Sequence, residues 1–117
     1  MIHWRKYFAE LVGTAALFCT VIGSGIMAEQ LAGGNAAIAL LANTLATVFA
    51  LYVLIETIGP ISGAHFNPVV TMVDLIQGKS SVLRFIQYAV AQVLGAISGA
   101  LLANAMFDHA IVETATK

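Results

Sequence analysis

Charge is scarce in this sequence. Of 117 residues, five are Lys or Arg and six are Asp or Glu, so charged residues make up 9%. A soluble domain carries about 25%, and this chain has too little polar surface to stay dispersed in water. There is no basic run and the net charge is −1, which leaves nothing to grip a nucleic-acid backbone. Cysteine is nearly missing as well. Cys19 stands alone in an apolar stretch, which excludes a disulfide framework within the chain and reads as a small buried apolar residue. His3, His65 and His109 are far apart and lack metal-ligand spacing. No nucleophile, base and orienter stand together, so the expectation is a protein that is not an enzyme and needs no cofactor.

What is abundant is hydrocarbon. Hydrophobic residues make up 60% and mean hydropathy is +0.92, so the solvent is a bilayer and membrane lipid is the first partner. Three apolar segments of roughly 20 or more residues are long enough to cross about 30 Å of hydrocarbon as helices. They run from about 7 to 30, 35 to 58 and 82 to 107. Arg5 and Lys6 before the first segment give it the look of a signal peptide, but its apolar core runs too long and no small-residue cleavage site follows a short one, so it is expected to be a mature span. Trp4, Tyr7 and Phe8 suit the headgroup level. Gly33-Gly34-Asn35 predicts a tight turn between the first two spans.

Between the second and third spans, Gly59, Pro60 and Gly63 are expected to break the helix. Asn67 is then a good N-cap and Pro68 a good first helical residue. A short helix over 68–77 follows, with Gly78 placed to end it. Ten residues at 1.5 Å rise give about 15 Å, half a bilayer. Two readings remain open on these residues alone: a re-entrant half-helix lining a wet cavity, or a long loop capped by an ordinary Asn-Pro turn. In the first, the helix N-terminus turns its positive end toward the membrane middle and repels cations. The Asn67 amide could donate hydrogen bonds into the cavity, and the carbonyls of Ser62, Gly63, Ala64, His65 and Phe66 could form an acceptor ladder. Arg5, Lys6, Lys79 and Arg84 fall on one side of this topology, while Glu29, Asp108, Glu113 and Lys117 fall on the other. That bias predicts a cytoplasmic N-terminus.

The run Ser62-Gly63-Ala64-His65-Phe66-Asn67-Pro68-Val69-Val70-Thr71 resembles the first signature loop of the aquaporins and glycerol facilitators, and Glu10-Leu11-Val12-Gly13-Thr14 resembles their first-helix motif. The stretch from Gly23 to Glu29 is similar to bacterial members, some of them linked to arsenite transport. The resemblance covers about Ala9 to Ala103. It implies an all-α membrane fold of three spans and one half-helix, a single aquaporin repeat forming one transmembrane domain over 1–117. It also implies a passive channel for water and small neutral solutes such as glycerol, in a bacterial inner membrane.

In that family two inverted repeats build the pore, with half-helices meeting tip to tip and paired Asn side chains orienting the solute. Only the first repeat is present in this sequence, with no second Asn-Pro and no filter arginine. The resemblance therefore implies pairing as an inverted homodimer, possibly a tetramer of dimers with eight chains in all, or pairing with a separate second-repeat protein. Charge bias speaks against insertion in both directions. For the homodimer, the implied filter is Thr47 from one protomer with Ile55, Ala64 and Val70 from the other, which makes a wide and apolar constriction. Val69 stands where the family has Ala, adding two methyl groups where the tips would meet.

Glu10 is an intramembrane carboxylate, which is costly without a partner or role. The resemblance implies that it braces the loop beside His65. The other reading is a small dual-topology exporter coupled to protons through Glu10, and a third is a non-conducting or truncated membrane subunit. Glu56 is read as snorkelling or loop-bracing, and Asn35 and Asn43 as turn and packing residues. Gly95-Ala96-Ile97-Ser98-Gly99 is a GxxxG pattern that serves packing within the protomer or dimerisation equally well.

Overall fold

In a computed structural model of the chain, residues 4–107 are described. Expectations resting on His3, Asp108, His109, Glu113 and Lys117 fall outside those residues. The all-α architecture holds. The described residues form four helices: α1 (Trp4–Leu31), α2 (Ala36–Ser62), α3 (Pro68–Ile76) and α4 (Val82–Met106). Of these, α1, α2 and α4 are long and apolar enough to cross a membrane. At 1.5 Å per residue they reach about 38 to 42 Å, whereas α3 reaches about 14 Å.

Each helix starts and stops for a local reason. Gly33 and Gly34 take left-handed φ of 61° and 88° to reverse the chain after α1. Asn35 then caps α2, its Oδ1 accepting from the amides of Ala37 at 3.1 Å and Ile38 at 3.2 Å. Ser81 caps α4 by accepting from the Arg84 amide at 3.1 Å.

The end of α2 corrects the sequence reading. The helix does not break at residue 58 but runs through Gly59 and Pro60 to Ser62. Proline fixes φ near its helical value; it lacks the amide hydrogen and crowds the carbonyl four residues back, but only Ile61 and Ser62 of the helix lie beyond it. Gly63 alone ends the helix, taking φ 90° and donating its amide to the Gly59 carbonyl at 2.8 Å. The half-helix likewise stops one residue short of the expected 77. Gln77 caps it, and Gly78 at φ 78° lets the Lys79 amide reach the Asp74 carbonyl at 2.9 Å.

Small residues hold the bundle together. Ala9 and Gly13 on α1 and Ala91, Gly95, Gly99 and Ala103 on α4 are buried, and α1 packs on α4. A Cβ on Gly95 would overlap the Leu11 carbonyl oxygen, and one on Gly99 would overlap that of Ala15. The GxxxG pattern therefore packs within the protomer, where bare glycine lets the two backbones approach. Because Gly95 meets Leu11 and Gly99 meets Ala15, α1 and α4 run parallel. Arg5, Lys6, Lys79 and Arg84 accordingly belong to the same end of the bundle. Packed on α1 in addition is α2, with the Ser24 hydroxyl donating to Asn43 Oδ1 at 2.7 Å across the interface. Asn35 and Asn43 thus serve as turn and packing residues.

Candidate functional site

The site is built around a carboxylate that water does not reach. Glu10, on the second turn of α1, has 0% exposure. A charge in that position must be met by hydrogen bonds, and four donors meet it. Its Oε1 accepts from the Phe66 amide at 2.9 Å and Gln92 Nε2 at 2.8 Å. Its Oε2 accepts from the Ser62 hydroxyl at 2.7 Å and the His65 amide at 3.0 Å. A carboxylate offers about four lone-pair positions, so both oxygens are saturated.

These bonds pull the chain after α2 into a shape it would not otherwise keep. Ala64 and Phe66 both sit at left-handed φ, 53° and 56°, where non-glycine residues pay a conformational penalty of about 1–3 kcal/mol each. The alternation points consecutive amides to one side, a small nest that grips the anion. Phe66 is wedged against Gly13, where a Cβ would overlap its ring. The Ser62 hydroxyl also accepts from the Ala64 amide at 3.1 Å, and Tyr88 donates its hydroxyl to the Ser62 carbonyl at 2.7 Å. The Ser62 carbonyl is therefore committed to α4. Of the expected acceptor ladder, the Ser62 carbonyl thus has one lone pair taken by Tyr88.

The His65 ring turns away from Glu10; only its backbone meets the carboxylate. Its Nδ1 lies 3.0 Å from Thr71 Oγ1, and its Nε2 lies 3.1 Å from Asp74 Oδ2. Thr71, fully buried, also accepts from Gln92 Nε2 at 3.1 Å. One network thus joins α1, the loop, α3 and α4. Asn67 heads α3 with its Oδ1 accepting from the Val69 amide at 2.8 Å. That bond commits the oxygen to the cap, and the amide nitrogen makes no hydrogen bond among the described residues.

Four residues central to this network, Thr71, Asp74, Tyr88 and Gln92, had no role in the sequence reading. A signal existed for two of them. Tyr88 and Gln92 stand four apart on a mostly apolar span and share a face with Gly95 and Gly99, the face that α1 covers. The filter candidates are less gathered. Ile55 Cγ2 and Ala64 Cβ each lie 4.0 Å from where a Cβ on Gly59 would stand. Thr47, two turns earlier on α2, is half-buried with its hydroxyl donating to the Asn43 carbonyl at 2.9 Å. Val70 is exposed, and so is Val69, at 67%.

The major intrinsic protein family model matches residues 1–117. The chain belongs to that family. Among its relatives is the aquaglyceroporin AqpS of Rhizobium meliloti (strain 1021), 48% identical over 104 residues, which cover 89% of this chain and 44% of the relative. The lens fiber major intrinsic protein of Ovis aries is 39% identical over 108 residues, covering 92% of this chain and 39% of the relative. That of Lithobates pipiens matches over the same shares, also at 39% identity. The chain thus spans less than half the length of these curated relatives. As a member of the family with three membrane-length helices, it is an integral membrane protein.

Proposed function

We propose that this chain forms one half of a passive channel for water and small neutral solutes such as glycerol, completed by a second three-span repeat. The observation that carries the reading is the half-helix itself. It is held at depth by the Glu10 carboxylate, headed by an exposed Asn67 amide, and uncovered along Val69, Val70 and Val73. Irregular backbone at membrane depth is stable only against protein or a wet cavity, so the open side of the loop calls for both. The second repeat is an inverted copy of this chain or a different polypeptide segment; eight such halves would give four complete pores. In the inverted pair, Thr47 of one protomer with Ile55, Ala64 and Val70 of the other forms the filter, and their lack of charge leaves it wide and apolar. The relative named an aquaglyceroporin supports glycerol among the solutes. In this half the cation-rich end, with Arg5, Lys6, Lys79 and Arg84, faces the cytoplasm of a bacterial inner membrane, and an inverted copy would turn the same end outward.

The saturation of Glu10 weighs against the proton-coupled exporter. An exchanging carboxylate needs a lone pair open to cargo, and each oxygen of Glu10 already accepts two bonds. The test is stopped-flow light scattering of liposomes carrying the purified chain under sorbitol and glycerol gradients. Flux above that of protein-free vesicles, without dependence on a proton gradient, is expected. Flux equal to empty vesicles, with the chain demonstrably folded and assembled, refutes the channel. For the inverted pair, Lys79→Cys in a Cys19→Ser background should label from both faces of the membrane. One-sided labelling excludes it and leaves a different polypeptide segment as the second repeat.

A further inference from the structure

The hydrogen bonds around His65 leave an unusual amount determined. Its ring is 13% exposed and sits between three groups: Thr71 Oγ1 at Nδ1, Asp74 Oδ2 at Nε2, and the Tyr88 ring with centroids 5.1 Å apart. Glycine at 63 leaves room for it, since a Cβ there would come to 3.2 Å from Nε2. Proton placement follows from counting donors. Gln92 Nε2 donates to Glu10 and to Thr71, so the Thr71 oxygen is an acceptor on that side. Its one hydroxyl hydrogen can go to His65 Nδ1 at 3.0 Å or to the Asn67 carbonyl at 3.4 Å. What chooses between them is the hydrogen on the imidazole, and that is set by the bond its other nitrogen makes.

We propose that Asp74 is a positioning residue, fixing His65 in the Nε2–H form and pinning its ring against the loop that leads to Asn67. A carboxylate 3.1 Å from Nε2 accepts a hydrogen there and repels a lone pair, which excludes the Nδ1–H tautomer. With Nε2 protonated, a neutral ring presents its Nδ1 lone pair to Thr71. The Thr71 hydroxyl hydrogen then goes to the shorter of its two acceptors, and the Asn67 carbonyl keeps only its helical bonds from the Val70 and Thr71 amides, at 3.1 and 3.3 Å. Asp74 stands further in the open than His65, 30% exposed against 13%. It sits two turns into α3, so the half-helix holds the loop in front of it by its own side chain. Remove the carboxylate and the Nδ1–H form, donating to Thr71 Oγ1, is no longer excluded. The ring is then free to turn, and Tyr88 and Thr71 close the inner side, so the exposed side of the loop is where it goes.

The tautomer is independent of the channel reading; only the flux consequence rests on it. The direct measurement is the ring nitrogen spectrum of 15N-histidine-labelled protein in lipid, at a mildly alkaline pH where a neutral imidazole is read, with His65 assigned by its absence in His65→Gln. Wild type should show a single Nε2–H tautomer, Asp74→Leu a mixture of both, and Asp74→Glu a return toward the single form. An Nδ1–H tautomer in wild type, or an unchanged single form in Asp74→Leu, overturns the proposal. A purely structural role for Asp74 would lower stability without changing which nitrogen is protonated. In the liposome assay Asp74→Leu should lower solute flux severalfold. A shifted tautomer with unchanged flux upholds Asp74 as positioning residue and counts against the solute route along the loop.

Discussion

Replacing Glu10 tests whether a single carboxylate shapes the signature loop. In Glu10→Gln one oxygen becomes an amino group that faces donors. The least costly orientation puts it at Oε2, where the Ser62 hydroxyl can rotate to accept and only the His65 amide is stranded. A buried unpaired amide costs about 1–3 kcal/mol. The other bonds lose their charge assistance, about 1 kcal/mol each, while a charge no longer has to be buried, which returns several kcal/mol. The net local loss is about 2 kcal/mol, which is about 30-fold in the population of opened loop. Glu10→Ala strands the amides of His65 and Phe66 and the Gln92 amide together, and its loss should exceed 3 kcal/mol. The assay is amide hydrogen exchange by mass spectrometry in lipid nanodiscs, which reads local opening. Peptides containing His65 and Phe66 should exchange about 30-fold faster in Glu10→Gln and more than 100-fold faster in Glu10→Ala, while the middle of α2 stays unchanged. Equal protection of the loop in wild type and Glu10→Ala would refute the reasoning, since the left-handed turns at Ala64 and Phe66 would then need no anion.

Two further changes probe packing and the tip. Gly99→Val drives a side chain into the Ala15 backbone; α1 and α4 should separate at a cost of at least about 3 kcal/mol, read as a lowered unfolding midpoint in SDS titration. Val69→Ala should leave stability within about 0.5 kcal/mol, because the side chain is 67% exposed, yet raise solute flux in liposomes if the two half-helix tips meet there.

The spans were legible because about 20 apolar residues in a row have few other uses. The half-helix was legible for a different reason, the coincidence of an N-cap, a proline at the first helical position and a length that cannot cross. Pro60 misled because its breaking power depends on position: mid-helix it is severe, and three residues from the end it costs little. The inward faces were harder to read. Thr71 and Asp74 became meaningful only once the loop brought His65 between them, and six and nine residues of separation across a turn carry no period that a sequence can display. Likewise GxxxG marks a close approach without saying to what. The overlap of an added Cβ with Leu11 and Ala15 settles that the partner is α1.

The pairing of α1 with α4 also orders events in time. Glu10 belongs to the first span to enter the bilayer, yet its donors lie between 52 and 82 positions later in the chain. Until they arrive, α1 holds an unmet carboxylate in its second turn, at a cost below the roughly 2.5–3.5 kcal/mol of a charged residue at a helix centre. The second span can lean on the first in the meantime, but the loop cannot take its left-handed turns before the carboxylate is free to catch it, and Gln92 comes only with the last span. Closure of the loop around Glu10 therefore waits for α4, whose Gln92 supplies the fourth donor.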